Sequence, residues 1–230
     1  WERDHKGAVA NLFRFANMTP ARDIINRSNG LLREVPEYRD ENQGYTAVND
    51  GSCECEVLDF LYGFVRVIKP RTVYESGTYK GFSSAGIGQA LKDNTIGLLD
   101  TCDIEIQHIN TAKQLWGVLD LLPWIKEHHI SSADFVPQYN YNMLFLDSEP
   151  NLRFGELVKF YPFLEPGGYA FIHDCPRSMT QGNINPDHPE IPSWPFGPLP
   201  AEIKDWLKSG ELVKFHISSP RGLVGFYKRH

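Results

Sequence analysis

The chain has 230 residues, 41% of them hydrophobic and 23% charged, enough for one domain with a substantial buried core. A formal charge of −6 and a pI near 5.8 disfavour a nucleic-acid partner, because gripping phosphates needs a basic face that displaces counterions. No apolar run approaches the roughly 18 residues that cross a bilayer and no secretory signal opens the chain, so the expected setting is cytoplasmic, with no membrane partner. Four cysteines, Cys53, Cys55, Cys102 and Cys175, lack zinc-ligand spacing and read as reduced thiols. The chain opens on Trp1 rather than Met, which leaves room for a neighbouring domain of a longer chain; a homo-oligomer is the other macromolecular partner left open.

Residues 8–18 carry apolar side chains at helical spacing, and Thr19-Pro20 reads as a cap followed by a first-turn proline. Residues 33–51 are polar and turn-rich, a surface loop or lid. Residues 1–51 are therefore expected to form an N-terminal helical and lid segment ahead of a domain over 52–230. In residues 53–68, Val57, Leu58, Leu61, Phe64, Val65 and Ile68 share one helical face, and Pro70 ends the run.

Short apolar runs then alternate with helical ones, the pattern of a parallel sheet. Strands are expected at 72–75, 95–100, 130–136, 143–147 and 169–174, and helices at 83–92, 104–119 and 152–163. Six prolines in 183–200 exclude a central strand there. A short helix over 201–209 precedes two strands, 212–218 and 223–228, whose three-residue turn Pro220-Arg221-Gly222 forces them antiparallel. The fold class is α/β: a Rossmann-like, doubly wound, seven-stranded sheet, mostly parallel, with an antiparallel C-terminal hairpin strand.

The most informative stretch is Glu75-Ser76-Gly77-Thr78-Tyr79-Lys80-Gly81-Phe82-Ser83. It joins a strand ending in an acid to a helix start. Gly77 and Gly81 permit a sharp turn and close approach of backbone to a ligand, and free N–H groups at a helix start favour an anion. Any strand-to-helix connection can hold two glycines, so the weight comes from the acids. Glu75, Asp100 and Asp147 each fall at an expected strand end, where open α/β sheets bind ligands. Asp100 also lies at about the twenty-residue offset of an acid that grips a ribose diol. Asp103 is its rival, because strand ends are uncertain by a few residues.

These segments resemble class I S-adenosylmethionine-dependent methyltransferases. Glu-x-Gly-x-x-x-Gly is similar to their first motif and Leu98-Leu99-Asp100 to their second. Phe145-Leu146-Asp147-Ser148-Glu149 resembles the fourth-strand motif of small-molecule O-methyltransferases, and Leu164-Glu165-Pro166-Gly167-Gly168-Tyr169 their fifth-strand entry. The similarity spans residues 52–228 and is closest to bacterial enzymes that modify sugars, macrolides and related natural products.

The resemblance implies transfer of a methyl group from S-adenosylmethionine to a hydroxyl of a small molecule. It implies cofactor contacts at Glu75, Gly77, Thr78, Gly81, Ser83, Asp100, Asp134 and Asp147, with Asp100 on the ribose and Asp134 near the adenine or simply solvated. It also implies a magnesium ion held by Asp147 and Asp174, with His173 or Glu149 as a third group. His173 stands where some metal-dependent relatives have an acid. His173 and Asp147 are the candidate catalytic residues, His173 as general base or as a histidine merely satisfied by hydrogen bonds. His128-His129 reads as a solvated helix terminus, while Trp194 and Phe196 could wall off the acceptor.

Three other readings compete. A nicotinamide-dependent oxidoreductase would show Gly-x-Gly-x-x-Gly, which is absent. A methyltransferase acting on a macromolecule shares the cofactor site; the nucleic-acid form predicts a basic groove. A non-catalytic S-adenosylmethionine-binding module would keep the same fold.

Overall fold

The computed structural model describes residues 19–33, 35–38, 44–49, 51–175 and 199–230. The helix expected over 8–18, and Trp194 and Phe196 of the proline-rich stretch, lie outside the described residues. Thr19 and Pro20 open helix α1 (Pro20–Arg27), where the Thr19 side chain accepts from the Arg22 N–H. Two short antiparallel strands follow, β1 (Val35–Tyr38) and β2 (Gly44–Ala47), where a loop was expected. Helix α2 (Cys55–Ile68) buries Val57, Leu58, Leu61 and Val65, the apolar face read from the sequence. Ala21, Ile24, Leu32 and Val48 pack into the same cluster, so the described N-terminal residues share the main core.

The described residues from 72 onwards build one sheet with its flanking helices. Its strands are β3 (Thr72–Ser76), β4 (Leu98–Asp103), β5 (Ile125–His129), β6 (Tyr141–Leu146), β7 (Leu164–His173), β8 (Leu212–Ile217) and β9 (Leu223–Lys228), in the order β5-β4-β3-β6-β7-β9-β8. The first five are mutually parallel. Strand β9 runs antiparallel between β7 and β8, as the short hairpin turn requires. Helices α3 (Phe82–Asn94), α4 (Ile106–Val118), α5 (Arg153–Phe160) and α6 (Ala201–Ser209) complete the layers. Successive strand residues feed opposite faces. Val73, Met143 and Phe145 meet α1 to α4, while Tyr74, Leu144 and Leu146 meet α5 and α6. This is the doubly wound arrangement expected.

Three strands differ most from their expected bounds, β7 by starting at Leu164, five residues before the expected 169. Strand β4 runs Leu98–Asp103 rather than 95–100, because Thr95 is the left-handed C-cap of α3 and Gly97 still turns at φ +99. The third strand is Ile125–His129, not 130–136. It is the sheet's edge, so its charged alternation Lys126-Glu127-His128 hides it, and residues 131–135 form a hydrogen-bonded turn instead. His128 and His129 therefore lie in a strand and not at a helix end.

Candidate active site

A cleft of about 420 Å³ opens at the carboxyl ends of β3, β4 and β6, within the size range of small-molecule sites. The chain reverses its winding between β3 and β6, so the cleft lies at the topological switch point. Gly77, Asp103 and Asp147 all line it.

The turn after β3 is fixed by consecutive N–H groups. Those of Gly77 and Thr78 both donate to the Cys102 carbonyl, at 3.0 and 3.1 Å. Gly77 has φ +83, and a Cβ there would stand 2.4 Å from the Asp147 carbonyl oxygen. Gly81 (φ +79) caps α3 and sits against Ala112 and Trp116, where a Cβ would meet Ala112 Cβ at 2.6 Å. The two glycines thus act differently. Gly77 brings two strand ends together at the cleft, and Gly81 lets α3 pack on α4.

Glu75, Thr78 and Ser83 turn away from the cleft. Glu75 is fully buried and its carboxylate accepts from Ser83 Oγ at 2.6 Å, Thr101 Oγ1 at 2.6 Å and Ser84 Oγ. Burial lifts its carboxyl to about 7 against the pull of those three hydroxyls. Thr78 pairs with Thr101 at 2.7 Å. These side chains brace the turn from beneath rather than offering themselves to a ligand.

Asp100 does not reach the cleft. It is the third residue of β4, and its carboxylate accepts from His128 at 2.8 Å, Tyr141 at 3.1 Å and Tyr139. Despite burial, those donors hold its carboxyl below the usual range. The acid at the strand's end is Asp103, whose carboxylate accepts from the N–H groups of Tyr79 and Glu105, both at 2.8 Å. Asp134 is exposed in the 131–135 turn and does not line the cleft; Ile130, Ser131 and Ser132 of that region do.

The opposite end of the cleft is a charge cluster. His173 is fully buried, with Nδ1 3.0 Å from Asp147 Oδ1 and Nε2 2.5 Å from Glu54 Oε2. Burial opposes charge on the ring, but Asp147, Asp174 and Glu54 outweigh it and raise its pKa to about 10. With both ring nitrogens engaged by carboxylates and the ring absent from the cleft lining, His173 is not presented to a substrate and instead holds Asp147 and Glu54 in place. Its raised pKa has a measurable consequence. The stabilisation is complete below about 6.5 and is lost as pH rises through 10. Between those values wild-type stability should fall by about 1.4 kcal/mol more per pH unit than that of His173→Gln, the slope of one proton. Equal slopes in urea titrations across that range would show that the ring is neutral.

Sequence reasoning missed Glu54, Arg153 and Arg221. Arg153 Nη2 is 3.0 Å from Asp147 Oδ1, and Arg221 Nη2 is 2.8 Å from Asp174 Oδ2. Glu54 accepts from the Arg221 backbone N–H at 2.8 Å. Only the hairpin turn drew attention to residue 221, and nothing local marked the others.

Asp147, His173 and Asp174 bring potential ligand atoms within 4.8 Å of one another, the expected magnesium site. The donor set does not fit a divalent cation. Both carboxylates are already gripped by guanidinium groups, and both ring nitrogens of His173 are engaged by carboxylates.

No family model matches the sequence. A protein of Mycobacteroides abscessus provisionally named as an O-methyltransferase is 22% identical over 181 residues, covering 76% of this chain and 83% of that one. The O-methyltransferase TomG of Streptomyces achromogenes, involved in tomaymycin synthesis and solved with S-adenosylmethionine, superposes with a TM-score of 0.64 at 13% identity over the full length of both chains. The chain has the fold of the class I O-methyltransferases. A further O-methyltransferase of this fold, from Bacillus cereus and solved with S-adenosylhomocysteine, matches with a TM-score of 0.64 at 11% identity over 91% of this chain and 90% of that one. All four cysteines are free, and no described helix is long and apolar enough to cross a membrane.

Proposed function

We propose that this protein transfers a methyl group from S-adenosylmethionine to a hydroxyl of a small molecule, as a cytoplasmic enzyme. The observation that carries the reading is the cleft at the switch point, pinched by Gly77 and flanked by Asp103 on one side and Asp147 on the other. Asp103 takes the ribose hydroxyls, the role first expected of Asp100. Oδ1 accepts from the Glu105 N–H and lies 3.3 Å from His108 Nδ1, while Oδ2 accepts only the Tyr79 N–H among the described residues and keeps a lone pair for a hydroxyl donor. Exposed Ile104 and Ile130 beside Ser131 and Ser132 offer the adenine an apolar wall with polar edges. The methionine part passes Gly77 and points the sulfonium methyl towards Asp147.

The acceptor hydroxyl lies against Asp147. The partners of this side chain among the described residues fall on Oδ1, which leaves Oδ2 to accept the hydroxyl proton. The oxygen then attacks the methyl carbon in line: the S–CH₃ bond breaks, the O–CH₃ bond forms, and the O–H proton passes to the carboxylate. Much of the rate comes from holding the two reactants in that geometry. No step requires a metal ion. Residues 52–230 form the catalytic domain in this reading, preceded by the N-terminal helical segment 1–51, whose Ala21, Ile24, Leu32 and Val48 share its core.

Calorimetric titration with S-adenosylhomocysteine tests it. Wild type should bind. Asp103→Ala should weaken binding by about tenfold or more, the loss of a hydrogen bond to a charged group, while Asp100→Asn leaves the affinity largely intact. Asp147→Asn should keep binding but lower turnover on hydroxyl acceptors by about 10²–10⁴. Absence of binding to wild type would remove the proposal.

A further inference from the structure

We propose that the guanidinium groups of Arg153 and Arg221 take the place of a divalent cation at the ends of β6 and β7, so that the acceptor side of the cleft is a metal-independent ion cluster. The inference rests on the methyl-transfer reading for its meaning, though not for its test.

Charge balance is the first argument. Asp147 and Asp174, the two carboxylates that would hold the ion, already pair with two permanent cations, Arg153 and Arg221, among the described residues of the cluster. A metal site built from carboxylates ordinarily presents surplus negative charge for the ion to neutralise. Here the protein supplies the neutralising charge itself.

Geometry is the second. Arg221 grips Asp174 as a fork, with Nε 2.6 Å from Oδ1 and Nη2 2.8 Å from Oδ2, while Arg153 Nη1 adds a contact to Oδ2 at 3.2 Å. Asp174 Oδ1, although buried, makes no well-aligned hydrogen bond. Its nearest opposite charge is still the Arg221 guanidinium, packed where a cation would bind. Guanidinium suits this use because it is planar, always charged and only weakly hydrated.

The arginines are also anchored independently of the carboxylates. The Arg153 side chain is only 5% exposed. Its Nε donates to the Ser148 carbonyl at 2.7 Å and its Nη1 to the His173 carbonyl at 2.6 Å. Arg221 Nη1 donates to the Ser52 carbonyl at 2.8 Å. An incoming magnesium ion would have to expel groups that the backbone holds in place, leaving a buried guanidinium without its counter-ion. Magnesium also demands near-octahedral oxygen ligands, whereas of the four carboxylate oxygens of Asp147 and Asp174 only Asp147 Oδ2 has no cationic partner among the described residues.

Titration of the full chain with Mn²⁺, read by the electron paramagnetic resonance signal of the free ion, tests the proposal without turnover. Wild type should leave the free signal undiminished at millimolar Mn²⁺, and chelator should change neither S-adenosylhomocysteine affinity nor melting temperature. Arg221→Ala uncovers Asp174 and should raise Mn²⁺ affinity at least tenfold, whereas Arg221→Lys should not. Stoichiometric Mn²⁺ binding by wild type that Asp174→Asn abolishes would overturn the inference, and that comparison stands even if Arg221→Ala fails to fold. A chain that binds neither Mn²⁺ nor S-adenosylhomocysteine overturns the methyl-transfer reading alone. One that binds S-adenosylhomocysteine and stoichiometric Mn²⁺ overturns the metal-independent cluster alone.

Discussion

Gly77→Ala should lower affinity for S-adenosylhomocysteine by about a hundredfold. The residue sits at φ +83, a conformation that costs a non-glycine residue about 1–3 kcal/mol. The added Cβ would lie 2.4 Å from the Asp147 carbonyl oxygen, 2.8 Å from its carbonyl carbon and 3.0 Å from Ser148 Cα. All three are backbone atoms at the end of a central strand, so no flexible side chain can swing aside. Relief requires the turn after β3 to part from the end of β6, which moves both walls of the cleft at once. Gly81→Ala is the control. Its φ is similar, but its added methyl meets Ala112 and Trp116 between α3 and α4, away from the cleft lining. That variant should melt at a lower temperature yet keep its affinity to within a few-fold. Calorimetry beside thermal melts separates the two, and a Gly77→Ala protein that binds like wild type would show that the ligand does not pass this turn.

The contrast between these glycines marks how far sequence reasoning could go. The architecture was legible because its signals are local: apolar runs, helical faces and a three-residue hairpin turn. Glu75 and its glycines were legible as a unit for the same reason, although the acid proves to brace the turn from below through Ser83, Ser84 and Thr101. The acid at the end of β4 lies three residues beyond the one favoured from the sequence, at the rival position. Thr95 and Gly97 look like the start of a strand but continue the exit from α3 in positive φ, so the strand end fell at Asp103 rather than Asp100. The edge strand β5 was invisible because one exposed side dilutes its apolar pattern. The charge cluster lay furthest out of reach. Glu54 meets His173 across 119 positions and Arg221 across 167, and no periodicity or spacing encodes such a pairing. Glu54 holds the N-cap position of α2 but makes no side-chain cap bond there. Its carboxylate bonds across the fold instead.

Arg153→Ala should cost about 3–5 kcal/mol of stability, the usual penalty for stripping one partner from a buried ion pair. The residue opens α5 and ties that helix to the ends of two strands. Its guanidinium contacts Asp147 and Asp174 at 3.0 and 3.2 Å and donates to the Ser148 and His173 carbonyls at 2.7 and 2.6 Å. Truncation leaves Asp147 without its guanidinium partner and two backbone acceptors short of donors, in a place where the missing side chain was almost wholly buried. Arg153→Lys should recover less than half of the loss, because an ammonium is a point charge and cannot span two carboxylates and two carbonyls in one plane. Urea unfolding of the three proteins at neutral pH measures the differences directly. A loss below about 1 kcal/mol for Arg153→Ala would place the pair among surface salt bridges. The carboxylates would then be hydrated, free to take a metal ion after all, and the cluster would be an open mouth of the cleft instead of its fixed wall.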